Sequence, residues 1–305
     1  METLTYQKKY TDISPTEIMS CGSVACPGCG ASLAMRLALK TLGRNTIIVF
    51  PACCMAVIEG PFPYSSTTVP VLQSAFETAA ITAGAVRAGL DVTGKKDVTV
   101  MAWAGDGGTM DIGFGQLSAA AERNDNIIYV CYDNEAYMNT GIQRSSATPW
   151  GAWTTTTPGS DFKREPKKNL LEIMAAHRIP YAATTSVAYP NDLTAKFKKA
   201  MSMDGFRLIH IFSPCPPGHK SVERNSIQLA RWVVESRVFP LYEVEQGTYY
   251  KLSMDPPVRA VEEYLDLNGR FKHLTKEERI YIQKIVDEEW IRLQHRMKLS
   301  ESIDS

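Results

Sequence analysis

The chain has 305 residues, and its 33 Lys and Arg are balanced by 33 Asp and Glu. Zero formal net charge excludes a protein that grips nucleic acid or an anionic membrane by bulk charge, and no stretch approaches the ~20 uninterrupted apolar residues of a membrane helix. Apolar residues make up 44%, enough for an ample core in one large or two modest domains, and the polar start METLTYQKKYTDISP lacks the apolar run of a secretory leader, so a cytoplasmic protein is expected.

Residues 1–25 read as an extended lead-in. Ser32–Leu42 repeats apolar residues at helical spacing and ends at Gly43, a natural C-terminal stop. Thr46–Phe50 (TIIVF) is a short β-branched run, hence a buried strand, and leads into Pro51-Ala52-Cys53-Cys54. Ser74–Leu90 is Ala-rich and helical. Asp97–Ala104 (DVTVMAWA) is a second buried strand, Met110–Arg123 a helix, and Ile127–Tyr132 (IIYVCY) a third strand. The alternation continues through a helix at Leu170–His177, a strand at Tyr181–Thr185, a helix at Asp192–Met201 and a strand at Arg207–Phe212. An α/β chain with a mostly parallel sheet follows. Residues 138–166, rich in Thr, Ser, Gly and Pro, break the pattern; a loop of that length in a compact domain is functional or disordered. Beyond Val222 strand pattern is lost, and residues 274–299 form a charged amphipathic helix, an outer tail or a subunit contact. The expected division is therefore 1–222 for the chemistry and 223–305 as a C-terminal extension.

Gly105-Asp106-Gly107-Gly108 directly follows the strand DVTVMAWA. Glycines let a backbone approach phosphate closely, and a following helix start favours an anion; alone, the same string is an ordinary tight turn. The next strand ends at Asp133-Asn134, and 134 − 106 = 28 residues is one βαβ unit. Asp106 and Asn134 should then share the carboxyl edge of the sheet, where open α/β folds bind ligands. A carboxylate and an amide oxygen there suit Mg²⁺, which takes few protein oxygens together with phosphate oxygens. Asp106 as a turn residue, Asn134 as a helix cap and Asn139 in an Asx turn are the plain alternatives; Thr109 and Asp111 read as caps at a helix start.

Seven cysteines stand at positions 21, 26, 29, 53, 54, 131 and 215. An odd number in a reducing compartment points to metal or redox chemistry rather than disulfides. Cys26-Pro27-Gly28-Cys29 is a C-x-x-C, while Cys54 and Cys215 follow predicted strands at the same edge as Asp106. Four thiolates converging there would hold one tetrahedral zinc or one [4Fe–4S] cluster. Cys131, inside a strand, reads as core, and Cys21 as a bystander.

At this point the sequence resembles a known family. GDG followed 28 residues later by Asn resembles the thiamine diphosphate motif, and YDNEAYMNTGIQRSSATPWGAWTTTTP resembles the β subunit of 2-oxoacid:ferredoxin oxidoreductases, the pyruvate synthase family. The resemblance runs from about Cys26 to about Gly218. It implies a thiamine-diphosphate-binding fold with a central, mostly parallel sheet flanked by helices, here followed by a C-terminal helical tail. It also implies that Gly105, Asp106, Gly107 and Gly108 cradle the diphosphate, and that Asp106, Asn134 and the Ala136 carbonyl ligate Mg²⁺. Asn139 is placed beside the thiazolium and the substrate, as the catalytic residue. The strings CPGCG, PACC and SPCPPG resemble the family's cluster ligands, which selects the [4Fe–4S] reading on Cys26, Cys29, Cys54 and Cys215; the gap 54 − 29 = 25 favours Cys54 over Cys53.

The implied activity is oxidative decarboxylation of a 2-oxoacid, pyruvate first, with ferredoxin as electron acceptor and coenzyme A as acyl acceptor. Oxalate, phenylglyoxylate and branched or aromatic 2-oxoacids are the alternatives. The glutamate that activates the cofactor comes from an α subunit in that family; Glu77 is a weak substitute here. Ferredoxin-like or γ/δ subunits are also expected, with residues 138–158 and the tail after 222 as contacts. Some relatives carry a glutamate shortly after the second cysteine of C-x-x-C, where this chain has Ala31. His219 and Lys220 read as solvated loop residues. Two competitors remain. A non-oxidative thiamine decarboxylase would need no cluster, and a zinc-stapled α/β binding module would be no enzyme.

Overall fold

The computed structural model describes residues 13–303. Its centre is an eight-stranded sheet in the order β2-β1-β3-β4-β6-β5-β7-β8. The strands are β1 (Thr46–Pro51), β2 (Val71–Ser74), β3 (Thr99–Gly105), β4 (Ile128–Asp133), β5 (Tyr181–Ser186), β6 (Arg207–Phe212), β7 (Tyr242–Glu245) and β8 (Tyr249–Leu252). The first six are mutually parallel and the last two antiparallel. β4, β5 and β6 are buried along their whole length, as strands covered by helices on both faces must be.

The helices are α1 (Gly30–Leu42), α2 (Cys54–Glu59), α3 (Ala79–Val92), α4 (Phe114–Glu122), α5 (Leu170–Ala176), α6 (Pro190–Met201), α7 (Pro216–His219), α8 (Ser226–Glu235), α9 (Val261–Leu267) and α10 (Lys276–Glu301). Two apolar clusters form the core, one on each face. α1, α6 and α8 cover the first, while α3, α4 and α5 cover the second. Local chemistry fixes the helix starts. Asn169 accepts from the Glu172 N–H (3.2 Å) at α5. Thr275 and Glu278 cap each other reciprocally at α10.

Two expectations are corrected. The Ala-rich helix does not begin at Ser74; residues 71–74 form edge strand β2, and Glu77 lies in the link before α3. Strand pattern does not end at Val222. β7 and β8 form a hairpin that extends the sheet antiparallel to β5, and α10 packs over β8. Its turn sets both Gln246 (φ 53°) and Gly247 (φ 68°) in the left-handed region. A β-carbon on Gly247 would also stand 2.2 Å from the Ala175 carbonyl oxygen, so only glycine fits there. The cue was present: Tyr242-Glu243-Val244-Glu245 alternates apolar and polar residues, and its burial alternates to match.

Candidate active site

β3 and β4 are adjacent, with Gly105 opposite Tyr132. Asp106 and Asn134 therefore leave the same edge side by side. Asp106 is fully buried; its Oδ1 accepts from the Asn134 N–H (3.3 Å) and its Oδ2 from the Ser145 hydroxyl (2.6 Å). The Asn134 side-chain oxygen faces Asp106 Oδ1 at 3.0 Å and the Ala136 carbonyl oxygen at 3.1 Å. Turned over, the amide would donate to both and satisfy the corner without an ion; with its oxygen inward, three oxygens would meet a cation there. Adjacent ligands ~2.1 Å from an octahedral Mg²⁺ lie about 3.0 Å apart, so the residues present fit that ion. Burial, then the Asp133 charge, pushes the Asp106 carboxyl well above its usual range, a penalty that a bound cation would reverse.

Beside this corner lies a cavity of about 120 Å³ lined by Cys54, Phe76, Gly105, Gly107, Gly108 and Asn139, among others. A β-carbon on Gly107 would stand 2.5 Å from the Tyr137 ring, so the second glycine of GDGG is there for close approach. After it the chain makes a π-helical turn, Gly108–Ile112, a form often found at functional sites. Enclosing ligand pockets run from ~300 Å³ upward, so this cavity is too small to enclose a cofactor by itself.

The loop carrying Asn134 rests on buried charge. Asp133 meets Lys167 (2.6 Å) and His210 (2.8 Å), and Glu135 meets Lys167 (2.8 Å) and the fully buried Arg270. Burial alone raises the Asp133 carboxyl, but Lys167 and His210 outweigh it and hold it well below the carboxylate range. Burial likewise lowers Lys167, and the two carboxylates more than compensate. Glu135 adopts φ 67°, an unusual value for a non-glycine residue, and its carbonyl accepts from Thr148 Oγ1 (2.7 Å). The sequence reading missed Ser145, Thr148, Lys167 and Arg270. Their contacts depend on the path of the long loop 138–166, which holds no helix or strand and is nonetheless closely bonded. Thr155 N–H donates to Ile142 O (2.9 Å), and Lys163 donates to Thr148 O (2.6 Å) and Pro166 O (3.0 Å).

Three loops bring cysteines to the same edge. Cys54 opens α2 after β1, Cys215 follows β6, and Cys29 precedes α1. The C-x-x-C loop is stitched to the Cys215 loop by Gly30 N–H to Pro214 O (2.9 Å). Burial and the neighbouring thiols, Cys215 first, push Cys54 up to about 12. Burial, then Cys29 and Cys26, pushes Cys215 up to about 11. The four thiols thus feel one another. Among the described residues, however, no three His, Cys, Asp or Glu side chains are drawn together tightly enough for a single metal ion. Cys53 is set apart: its thiol is buried and bonds with Tyr132, and none of Cys26, Cys29 or Cys215 acts on it. Cys53 and Cys54 both line the cavity, so the thiol-bearing loops and the cavity share a wall.

Three further expectations change. Thr109 and Asp111 cap no helix: Thr109 donates to Gly105 O (2.7 Å), and Asp111 accepts from the Ser146 N–H (3.0 Å). His219 is not solvated. It has no exposure, stacks on Phe212 and meets the Asn134 carbonyl at 3.1 Å, and burial, then the Arg270 cation, lowers it to about 3. Lys220 does remain exposed, over the Trp153 ring.

The site sits in a recognisable context. The family model "Thiamine pyrophosphate enzyme, C-terminal TPP binding domain" matches residues 72–211. The chain is 48% identical to the ketoisovalerate oxidoreductase subunit VorB of Pyrococcus horikoshii over 94% of this chain and 95% of that protein. It is 47% identical to the pyruvate synthase subunit PorB of Methanothermobacter thermautotrophicus over 90% of this chain and 96% of that protein. In fold it is similar to the 2-oxoglutarate:ferredoxin oxidoreductase of Magnetococcus marinus, with TM-score 0.58 and 21% identity, covering 89% of this chain and 96% of that one. On identity of this extent over nearly its whole length, the chain belongs to the β subunits of the 2-oxoacid:ferredoxin oxidoreductases.

Proposed function

We propose that the chain holds thiamine diphosphate through Mg²⁺ on Asp106, Asn134 and the Ala136 carbonyl, and a [4Fe–4S] cluster on Cys26, Cys29, Cys54 and Cys215. With partner subunits it would decarboxylate pyruvate oxidatively, reducing ferredoxin and passing the acyl group to coenzyme A. The observation that carries this reading is the Asp106–Asn134 corner opening on the glycine-walled cavity. Thiamine diphosphate, when bound, supplies the carbanion chemistry that releases CO₂ from a 2-oxoacid. The chain's own residues place it. Asp106 and Asn134 anchor the diphosphate end, Gly105, Gly107 and Gly108 let it approach, and Asn139, exposed at the cavity rim, orients the substrate. The resemblance of CPGCG, PACC and SPCPPG to the family's cluster strings supports a cluster over one zinc.

Residues 1–222 carry these groups, and 223–305 form an extension for subunit contact, braced to the site by Arg270. Glu77 lies outside the cavity wall, so the activating glutamate is assigned to an α subunit, with γ/δ or ferredoxin-like subunits carrying electrons onward. No described helix is long and apolar enough to cross a membrane, and all seven cysteines are free, in keeping with a cytoplasmic enzyme. The VorB similarity, as high as that to PorB, favours a branched 2-oxoacid such as ketoisovalerate as the second reading. The test is thiamine diphosphate titration, with Mg²⁺, of the purified complex. Asp106→Ala and Asn134→Ala should each weaken binding at least tenfold, in line with the roughly 1.5–3 kcal/mol that a hydrogen bond to a charged group supplies; unchanged affinity in both would remove the assignment.

A further inference from the structure

One side-chain hydrogen bond joins the Cys215 loop to the Asn134 loop, beside the packing of Met138 on Gly218. The His219 backbone N–H donates to the Cys215 carbonyl (2.7 Å), closing the single turn α7. Its ring reaches across the sheet edge, where Nε2 stands 3.1 Å from the Asn134 carbonyl oxygen. A carbonyl only accepts, so Nε2 is the donor. The Asn134 peptide is thereby held at both ends, because its N–H donates to Asp106 Oδ1 (3.3 Å). Phe212, stacked with ring centroids 5.8 Å apart, fixes the plane of the imidazole. No other side chain of residues 213–221 hydrogen-bonds to residues 133–138 among the described residues; the one further hydrogen bond is the backbone pair Ser213 N–H to Asp133 O (2.8 Å).

We propose that His219 is a positioning residue that couples the two cofactor sites: one imidazole sets the carbonyl of Asn134 and the turn of Cys215 together, so a disturbance at either loop is felt at the other. The proposal rests on the reading that Asn134 and Cys215 are ligands. Its physical basis is that buried donors and acceptors must be paired, and that a group which orients a metal ligand tunes the metal. Coupling of this kind would hold the electron donor and acceptor sites in fixed register.

The test uses the complex purified with its partner subunits and without oxygen. His219→Phe keeps a flat ring and loses the donor, while His219→Gln keeps an N–H at the same reach. Two quantities are read: thiamine diphosphate affinity in the presence of Mg²⁺, and the paramagnetic resonance signal and midpoint potential of the reduced cluster. The phenylalanine variant should weaken affinity roughly tenfold, the usual loss when a group that orients a metal ligand is removed, and should shift the cluster signal and potential; the glutamine variant should restore both. A phenylalanine variant that moves one quantity without the other, or neither, overturns the coupling. So does a glutamine variant that behaves like phenylalanine, which would assign the effect to packing. Should the phenylalanine variant fail to assemble, His219→Asn, whose amide falls short of the Asn134 carbonyl, carries the same comparison. A wild-type complex that holds neither iron nor thiamine overturns the functional reading itself, and the coupling with it.

Discussion

Cys53 and Cys54 are neighbours in sequence with different surroundings. Both line the cavity, but the first is buried against Tyr132, while the second feels Cys215, Cys29 and Cys26. The proposed ligand set therefore predicts that Cys54→Ser strips the chain of its cluster, while Cys53→Ser keeps iron and sulfide at wild-type levels. Metal analysis of the two variants decides it; iron lost from Cys53→Ser and kept in Cys54→Ser would reverse the assignment. Much of the site is legible at this scale because it is set by short-range rules. Asp106 and Asn134 stand one βαβ unit apart, and each follows the last residue of its strand. Ser145, which donates to Asp106 across 39 residues, and His219, which reaches Asn134 across 85, carry no such spacing. Nothing in the string SPCPPGHK distinguishes a buried imidazole from a solvated one.

Among the elements, the parallel strands were readable from their continuous β-branched runs, and α10 from its capping box and length. The hairpin β7–β8 was overlooked despite the alternation in 242–245, since its strands are only four residues each and polar on one face. The long loop was read as functional or disordered, and its internal order was hidden in side-chain contacts. Arg270 illustrates the point. It lies beyond β8, is fully buried, and pairs with Glu135 135 residues away. Arg270→Leu leaves that carboxylate a partner short, and breaking a buried pair costs about 3–5 kcal/mol; urea unfolding should show a loss of that size, and a loss below about 1 kcal/mol, the scale of an exposed pair, would contradict the account. Lys163 offers a pH test of the same loop. Burial, then Arg144, lowers its ammonium from 10.5 to about 8, and a neutral amine still has two N–H groups for the Thr148 and Pro166 carbonyls. Between those two values the unfolded chain binds the extra proton, so stability rises with pH from about 8 to 10.5. Lys163→Met should lose that rise; identical slopes in variant and wild type would reject the shift.

At the scale of the molecule, the parallel strands gather the glycine turn, the Asp106–Asn134 corner and the thiol-bearing loops along one edge, with the cavity beside them. The relatives' names describe subunits, and a cavity too small to enclose a cofactor is what a subunit should present when viewed by itself. The C-terminal extension is no loose tail: its hairpin lengthens the sheet and its Arg270 braces the Asn134 loop through Glu135. The account's central claim, that a thiamine site and an iron–sulfur site share a wall at Cys54, is tested most directly by iron, acid-labile sulfide, zinc and thiamine analysis of the complex purified without oxygen, compared with the same complex carrying Cys54→Ser. The account predicts about four irons and four sulfides fewer per chain in the variant, with thiamine still bound and no zinc in either sample. Stoichiometric zinc in the wild-type chain, or iron unchanged by the substitution, would contradict it.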